Sequence, residues 1–368
     1  MRNNNDLRIH IVHVGRGDFI IVELPDDTKN GRRPRFGLVD AGTIHGSNAL
    51  ETKCLKYLEA LIEYRLEDKP STAAQNPNAK DYIFEFICLT HPHLDHLNMM
   101  RAVMEKYCGA DVPIAMRPRQ FWDCGFRFNT TSYLELLEYL TKRREIQFIR
   151  VSSGTEFHYD DAKIMVLAPS VNLRNRYDTY GVDINNASIV LHVSLGKGAA
   201  ILSGDAHFDN WGTLCNEFPR KKHIYYPPDA TKEMKDRDPT EEIAFLSTVD
   251  QLKCKLLKVS HHGSKNGTSF EYLEKLDPVH YAIPCDEGED NFPHPITRVA
   301  IAHQLGIFDE NETKIPNVDD KAKVATTAGL GTLIYRITKG GYIKRYPLEE
   351  ERDTRVDVAK LVDKLPGA

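Results

Sequence analysis

The stretch from Tyr82 to Leu89 is apolar and strand-sized, and it runs without a break into Thr90-His91-Pro92-His93-Leu94-Asp95-His96. A short apolar run bounded by turn residues reads as a buried strand. Four metal-capable side chains, His91, His93, Asp95 and His96, therefore emerge within six residues at the end of a rigid element. Loops at strand ends are where a scaffold projects ligands. Imidazole and carboxylate suit Zn²⁺, Mn²⁺ or Fe²⁺. A tight turn aims His91 and His93 at one ion, and Asp95 and His96 at a second. The bland alternative is a capping Asp among incidental surface histidines, but three His beside one Asp is a rare cluster in ordinary sequence.

What surrounds that loop is a chain able to bury it. Of 368 residues, 41% are hydrophobic and 27% charged, which excludes a disordered or collagen-like chain. No run approaches the roughly 18–20 apolar residues of a membrane helix, and the N-terminus has no apolar core before a cleavage site, so neither membrane insertion nor secretion is expected. Seven widely spaced cysteines with no CxxC argue against a disulfide framework or zinc ribbon and for a reducing, cytoplasmic setting with buried thiols. Net charge is 48 − 53 = −5. Basic clusters stand at Arg32, Arg33 and Arg35, at Arg117 and Arg119, at Lys142 to Arg144 and at Arg220 to Lys222, each read as a solvated face.

The order of elements is interleaved. Leu7–Val14 and Phe19–Leu24 flank a Gly-containing turn and predict a hairpin. Phe36–Asp40 is a strand, Asn48–Leu66 has helical spacing, and a helix is expected over Leu97–Tyr107. Phe121–Asp123 is a short strand, Ser132–Arg144 a helix, and Glu145–Val151 and Lys163–Ala168 are strands. Ser188–Leu195 and Ala199–Ser203 form a second hairpin. Pro219–Pro239, like Pro70–Ala79, reads as loop. Leu252–Val259 is a strand, Phe270–Leu276 a helix and Val279–Pro284 a strand, with closing strands at Thr332–Ile337 and Tyr342–Tyr346. Helices and strands alternate in both halves with no clean linker, as sheet layers flanked by helices require.

Two further segments fit the same chemistry. Asp205, after Gly204 at the end of a strand, can bridge two cations, although on its own it reads as a turn Asp. Leu256-Leu257-Lys258-Val259-Ser260-His261-His262-Gly263-Ser264 sets paired histidines beside Gly and a hydroxyl, which suits proton transfer and phosphate binding.

Together these residues resemble the metallo-β-lactamase-fold hydrolases, and within them the ComEC-like branch, named for the hydrolase module of DNA-uptake proteins. The matches are His13-Val14-Gly15-Arg16-Gly17-Asp18 to VGQGD, Gly37-Leu38-Val39-Asp40-Ala41-Gly42 to the first motif, and Thr90 to His96 to the metal signature. Asn185-Asn186-Ala187-Ser188-Ile189-Val190-Leu191 is similar to NNxSLVL, Ser203-Gly204-Asp205-Ala206 to TGDA, Leu257 to Ser264 to LKxxHHGS, and His294-Pro295 to a late HP. The motifs keep the family's order.

The resemblance implies an α/β fold, an αββα metallo-β-lactamase sandwich of two mixed β-sheets flanked by helices. It also implies two divalent ions, Zn or Mn, that ionise a shared water. His91 and His93 would hold one ion, Asp95 and His96 the other, with Asp205 between them and His294 as a late ligand. Asp40 would orient the loop from behind. His261 and His262 stand where related phosphodiesterases keep a histidine near the scissile phosphate, and one of them alternatively completes a metal shell. With Asp95 they make the catalytic set, and Gly263, Ser264 and Asn186 the substrate-binding set. A histidine ligand common in the superfamily is missing from Gly181–Asn186, so water or Asn186 fills that place, which tilts the metal toward Mn²⁺.

The expected function is hydrolysis of a phosphodiester in a nucleic acid or nucleotide. The alternatives are a carbon ester, lactone, thioester or β-lactam substrate, or a non-catalytic metal-binding module. Residues 1–346 are expected to form one hydrolase domain with an insert around 217–250, and 347–368 a helical tail. Neither oligomeric state nor physiological substrate is legible.

Overall fold

The computed structural model describes residues 4–29, 33–44, 48–66, 82–126, 128–173, 183–218, 221–225, 231, 245–249, 251–286, 292–307 and 323–346. The strands in chain order are β1 Leu7–Ile11, β2 Phe19–Asp27, β3 Arg33–Ala41, β4 Phe84–Leu89, β5 Gln120–Asp123, β6 Gln147–Arg150, β7 Glu156–Tyr159, β8 Ala162–Ala168 and β9 Val190–Leu195. They continue with β10 Gly198–Leu202, β11 Lys221–Tyr225, β12 Phe245–Val249, β13 Leu256–Lys258, β14 His280–Ile283, β15 Val324–Thr326, β16 Leu333–Ile337 and β17 Ile343–Tyr346.

An eight-stranded sheet runs β17-β16-β1-β2-β3-β4-β5-β6, and a seven-stranded sheet runs β15-β14-β13-β10-β9-β8-β7. Alternation along each strand explains why two such sheets stack. In β1 and β2, Leu7, Ile9, Ile11, Ile20 and Val22 join Leu191, Val193, Ala200 and Leu202 of the second sheet in one buried cluster between the layers. The opposite faces carry their own cores. Phe19, Ile21, Phe36 and Leu38 pack on helices Asn48–Leu66, Met100–Cys108 and Thr131–Thr141. Ala199, Ile201 and Leu257 pack on helices Phe208–Glu217, Phe270–Leu276 and Pro295–Gln304. This is the αββα layering, two mixed sheets flanked by helices, that the sequence resemblance implies.

β3 to β6 pair in parallel, as do β10, β13, β14 and β15. Parallel strands deliver all their carboxyl-end loops to one edge, where α/β sheets build sites. Asp40 is the next-to-last residue of β3, the loop at 90–96 follows β4, Asp205 follows β10, and His261 and His262 follow β13.

Several sequence expectations need correction. The helix expected over Leu97–Tyr107 is two pieces, Leu94–Leu97 and Met100–Cys108, because Met99 N–H donates to Ala41 O at 2.9 Å instead of continuing a helical ladder. The strand expected from Leu252 begins only at Leu256, since Cys254 N–H is taken by Leu276 O. Within the stretch read as loop, Lys221–Tyr225 pairs antiparallel with Phe245–Val249. Strand Glu156–Tyr159 and helices Phe208–Glu217 and Pro295–Gln304 had no sequence reading. The second did carry a signal, the helical spacing of Trp211, Leu214 and Cys215, all buried. Arg33 and Arg35, read as a solvated face, are buried, because carboxylates of neighbouring strands and turns pair with them. Pro70–Ala79, most of 217–250 and the tail 347–368 lie outside the described residues. All seven cysteines are free and buried. No helix among the described residues is long and apolar enough to cross a membrane.

One ionic cluster ties the first sheet to its covering helix. Glu23 is fully buried, with Arg65 Nε 2.8 Å from Oε1, and His10 Nε2 3.5 Å and Arg8 Nη1 3.8 Å from Oε2. Burial pushes its pKa up, but the Arg8 and Arg65 guanidiniums outweigh burial and carry it from 4.5 down to about 2. A carboxylate depressed in this way adds stability above its unfolded pKa and loses it as pH falls through the folded one. The contribution is on the order of 3 kcal/mol, at 1.36 kcal/mol per pKa unit. Glu23→Gln is therefore expected to unfold at lower urea than wild type at pH 7, with the gap narrowing from pH 4.5 toward pH 2. A gap that stays constant on acidification would contradict this role.

Candidate metal centre

Asp40 organises the loop after β4. Its Oδ1 accepts from Thr90 N–H at 2.7 Å, and its Oδ2 accepts from Thr90 Oγ1 at 2.7 Å and lies 2.8 Å from His96 Nδ1. Asp40 is itself held in left-handed backbone at φ 59°. With His96 Nδ1 engaged there, Nε2 is left facing Asp205 Oδ2 at 3.2 Å. A carboxylate behind an imidazole is the usual device for fixing which nitrogen a metal receives.

His262 is presented the same way from the second sheet. Its Nδ1 donates to Pro284 O at 3.0 Å, and Nε2 lies 3.5 Å from Asp95 Oδ2 and 3.7 Å from Asp205 Oδ2. One ligand atom from each of Asp95, His96, Asp205 and His262 lies within 4.8 Å of every other. His96 Nε2, His262 Nε2 and Asp205 Oδ1 are buried and have no hydrogen-bond partner among the described residues. Buried polar atoms are nearly always satisfied. A compact set of unsatisfied imidazole nitrogens and a carboxylate oxygen is what a divalent cation satisfies, so the residues present fit a metal.

His91 and His93 stand beside this set. His91 Nε2 is 4.0 Å from Asp205 Oδ2 and 3.1 Å from His93 Nδ1. Asp205 thus faces both groups of histidines. His261 Nε2 is 3.7 Å from Asp205 Oδ2, and its Nδ1 is 2.6 Å from His207 Nε2, whose Nδ1 is 3.4 Å from Asp183 Oδ2. His261 and His262 both sit in left-handed backbone, at φ 49° and 53°. Such residues cost about 1–3 kcal/mol each and persist where the surroundings over-determine them.

The other expected residues have different surroundings. His294 is in neither metal-capable group; its Nδ1 caps helix Pro295–Gln304 by accepting from Ile296 N–H at 3.2 Å. Asn186 has both ends of its amide engaged, Nδ2 with Asp209 and Oδ1 with the N–H of Asn210. Ser264 N–H donates to His261 O, and its Oγ accepts from Asn266 N–H. Gly263, at φ 84°, packs where a Cβ would meet Pro293 Cβ at 2.7 Å.

Burial and charge together set the protonation. Burial works against a charge on His96, but Asp205 and Asp40 more than reverse it and hold its pKa well above the imidazole range. Burial likewise opposes ionisation of Asp205, yet His96, His262 and His261 hold it well below the carboxylate range. Asp95 is lowered too, because the imidazoles of His262, 3.5 Å away, and of His96 outweigh burial. Burial keeps His91 well below the imidazole range and lowers His93, and it takes His261 to about 4. His91, His93 and His261 are thus held neutral and Asp95 and Asp205 ionised, the forms that bind metal, while on His96 a metal ion would take the place of the proton that Asp205 and Asp40 stabilise.

Sequence reasoning gave no role to four participants, although Asp18 and Lys258 stand within the quoted motifs. Asp18 is fully buried, with Oδ2 3.7 Å from His96 Nδ1 and 2.5 Å from Lys258 Nζ. Lys258 also donates to Gly204 O at 2.8 Å. Its signal was a lone charge in the apolar stretch Leu256-Leu257-Lys258-Val259. His207 and Asp183 had only their nearness in sequence to Asp205 and Asn185.

Gly42 completes the support. A Cβ there would sit 2.4 Å from Asp95 C and His96 N, so any side chain displaces the ligand loop. Gly42→Ala is expected to weaken Mn²⁺ or Zn²⁺ binding by roughly 10- to 100-fold, the scale seen when ligand support is disturbed. Metal titration by calorimetry checks it, and unchanged affinity would show that the loop yields.

The chain matches no model of a known protein family, and no curated protein aligns with it significantly. Among solved structures it is similar to the metallo-β-lactamase fold protein YhfI from Bacillus subtilis, at 9% identity and TM-score 0.40, over 89% of this chain and 99% of that one. It is also similar to CmlA, a diiron β-hydroxylase from Streptomyces venezuelae, at 11% identity and TM-score 0.37, over 82% of this chain and 51% of that one, so it spans about half of CmlA. A third likeness is to a diphosphatase of the PhnP family, at 13% identity and TM-score 0.31, over 75% of this chain and 85% of that one.

Proposed function

We propose that this protein is a metal-dependent hydrolase of phosphodiesters in a nucleic acid or nucleotide. The observation that carries the metal is the convergence of Asp95, His96, Asp205 and His262, with His96 Nε2, His262 Nε2 and Asp205 Oδ1 buried and without a hydrogen-bond partner among the described residues. The substrate class rests on the ordered motifs from His13 to Pro295. His91, His93, Asp95, His96, Asp205 and His262 would hold divalent ions, Zn²⁺ or Mn²⁺, with His262 in the place first expected of His294. Bound ions of this kind supply Lewis acidity and lower the pKa of water from 15.7 toward about 7.

The chain's own residues do the remainder. Asp40 and Pro284 O hold His96 and His262 so that each presents Nε2. Asp18 and Lys258 keep Asp205 in register beneath them. With Asp183 ionised, His207 donates from Nδ1 and accepts from His261 Nδ1–H at its Nε2. His261 Nε2 is then the free lone pair at the site, placed to exchange a proton with the reacting group.

The test is chelation followed by reconstitution. Protein stripped with EDTA and reloaded with Mn²⁺ or Zn²⁺ is expected to regain turnover of bis-p-nitrophenyl phosphate and labelled single-stranded DNA. It is expected to leave p-nitrophenyl acetate and nitrocefin nearly untouched. Faster acyl turnover would replace the phosphodiester reading with the carbon-ester one. No metal-restored turnover of either kind would leave a metal-holding module.

A further inference from the structure

Two basic clusters that lie far apart in sequence meet at the opposite end of the sandwich from the metal centre. Arg33 and Arg35 open β3, and Arg119 precedes β5. Arg35 and Asp40 are separated by 40 − 35 = 5 residues along β3, which at about 3.3 Å per residue is roughly 16 Å. Arg33, Arg35 and Arg119 line a cavity of about 240 Å³ together with Lys29, Asp27, Glu85 and Asp160.

The carboxylates there are shared. Arg33 Nη2 donates to Glu85 Oε1 at 3.2 Å, while Arg119 Nη1 lies 3.5 Å from Oε2 of the same group. Arg35 Nη2 donates to Asp160 Oδ2 at 3.0 Å, while Lys29 Nζ lies 3.5 Å from Oδ1. Asp27 Oδ2 is a further 3.7 Å from Arg33 Nη2. Four cations thus face three carboxylates around the cavity. Arg33 is 8% exposed, yet its Nε and Nη1 have no hydrogen-bond acceptor among the described residues. Those two atoms are closed off from solvent, so what favours an anion is the surplus positive charge together with the open volume beside Arg35, Arg119 and Lys29. Guanidinium forks match phosphoryl oxygens in particular. The volume falls below the roughly 300–1,000 Å³ of drug-sized sites, so the occupant is small.

We propose that this pocket is an anion site for a small phosphoryl oxyanion, held by Arg33, Arg35 and Arg119 apart from the metal centre. Its chemistry is shared by free phosphate and by the terminal phosphate of a small ester. The site does not depend on the hydrolase reading.

The experiment is calorimetric titration of inorganic phosphate, and in a second arm a nucleoside 5′-monophosphate, into three metal-loaded proteins: wild type, Asp205→Asn and Arg119→Ala. Arg119 has a side chain 57% exposed, so truncating it leaves the core untouched, and its melting curve confirms folding. Saturable binding is expected in wild type, retained within about two-fold in Asp205→Asn and weakened at least ten-fold in Arg119→Ala. Tighter inorganic phosphate assigns the free ion and tighter monophosphate assigns the ester, and either supports the site. Absence of saturable binding, binding unchanged in Arg119→Ala, or binding abolished in Asp205→Asn overturns it.

Discussion

Replacing Asp205 by Asn is expected to cut kcat/KM on bis-p-nitrophenyl phosphate about a thousand-fold or more while the chain stays folded. Among the described residues Asp205 is the one carboxylate within 4.0 Å of imidazoles from His91, His96, His261 and His262. Asparagine keeps the shape and removes the charge. Metal ions contribute several kcal/mol of transition-state stabilisation, and losing about 4 kcal/mol of it is roughly a thousand-fold in rate. The measurement pairs steady-state kinetics with metal content and far-UV circular dichroism. A folded Asp205→Asn protein with near wild-type turnover would end the shared-carboxylate account of the site.

The second large effect is on stability rather than chemistry. Lys258 is fully buried, with Nζ 2.5 Å from Asp18 Oδ2 and 3.7 Å from Asp205 Oδ1. Burial opposes its charge, but Asp18 and Asp205 reverse that and raise its pKa above the ordinary value. Lys258→Met leaves Asp18 charged and buried without its cation. Breaking a buried pair from one side costs about 3–5 kcal/mol. At roughly 2 °C per kcal/mol for a large domain, the melting temperature should fall by about 6–10 °C. Adding Asp18→Asn should restore part of that, since it removes the stranded charge. A single variant that melts like wild type would show that the pair is dispensable.

The readability of the site followed its locality. His91, His93, Asp95 and His96 lie within six residues, and the loop is short enough for residue type and spacing to announce a metal. The helix after it was misread as continuous because its break comes from a hydrogen bond to Ala41, which no local pattern encodes. His294 looked like a ligand from its motif alone, but its Nδ1 caps a helix while His262 stands with the cluster. Arg33 and Arg35 looked like solvated charge because their carboxylate partners, Glu85 and Asp160, are distant in sequence.

The interleaved order of strands and helices was enough to imply sheet layers flanked by helices, and the motif resemblance supplied the arrangement as two sheets. Residue chemistry was enough to place metal-capable groups at strand ends. Which nitrogen of each histidine faces inward, that His262 faces both Asp95 and Asp205 while His261 faces Asp205, and that Asp18 and Lys258 lie buried beneath them were decided only by tertiary structure. Those outcomes depend on contacts between strands of different sheets and on backbone carbonyls such as Pro284 O, whose positions exist only once the two layers have packed.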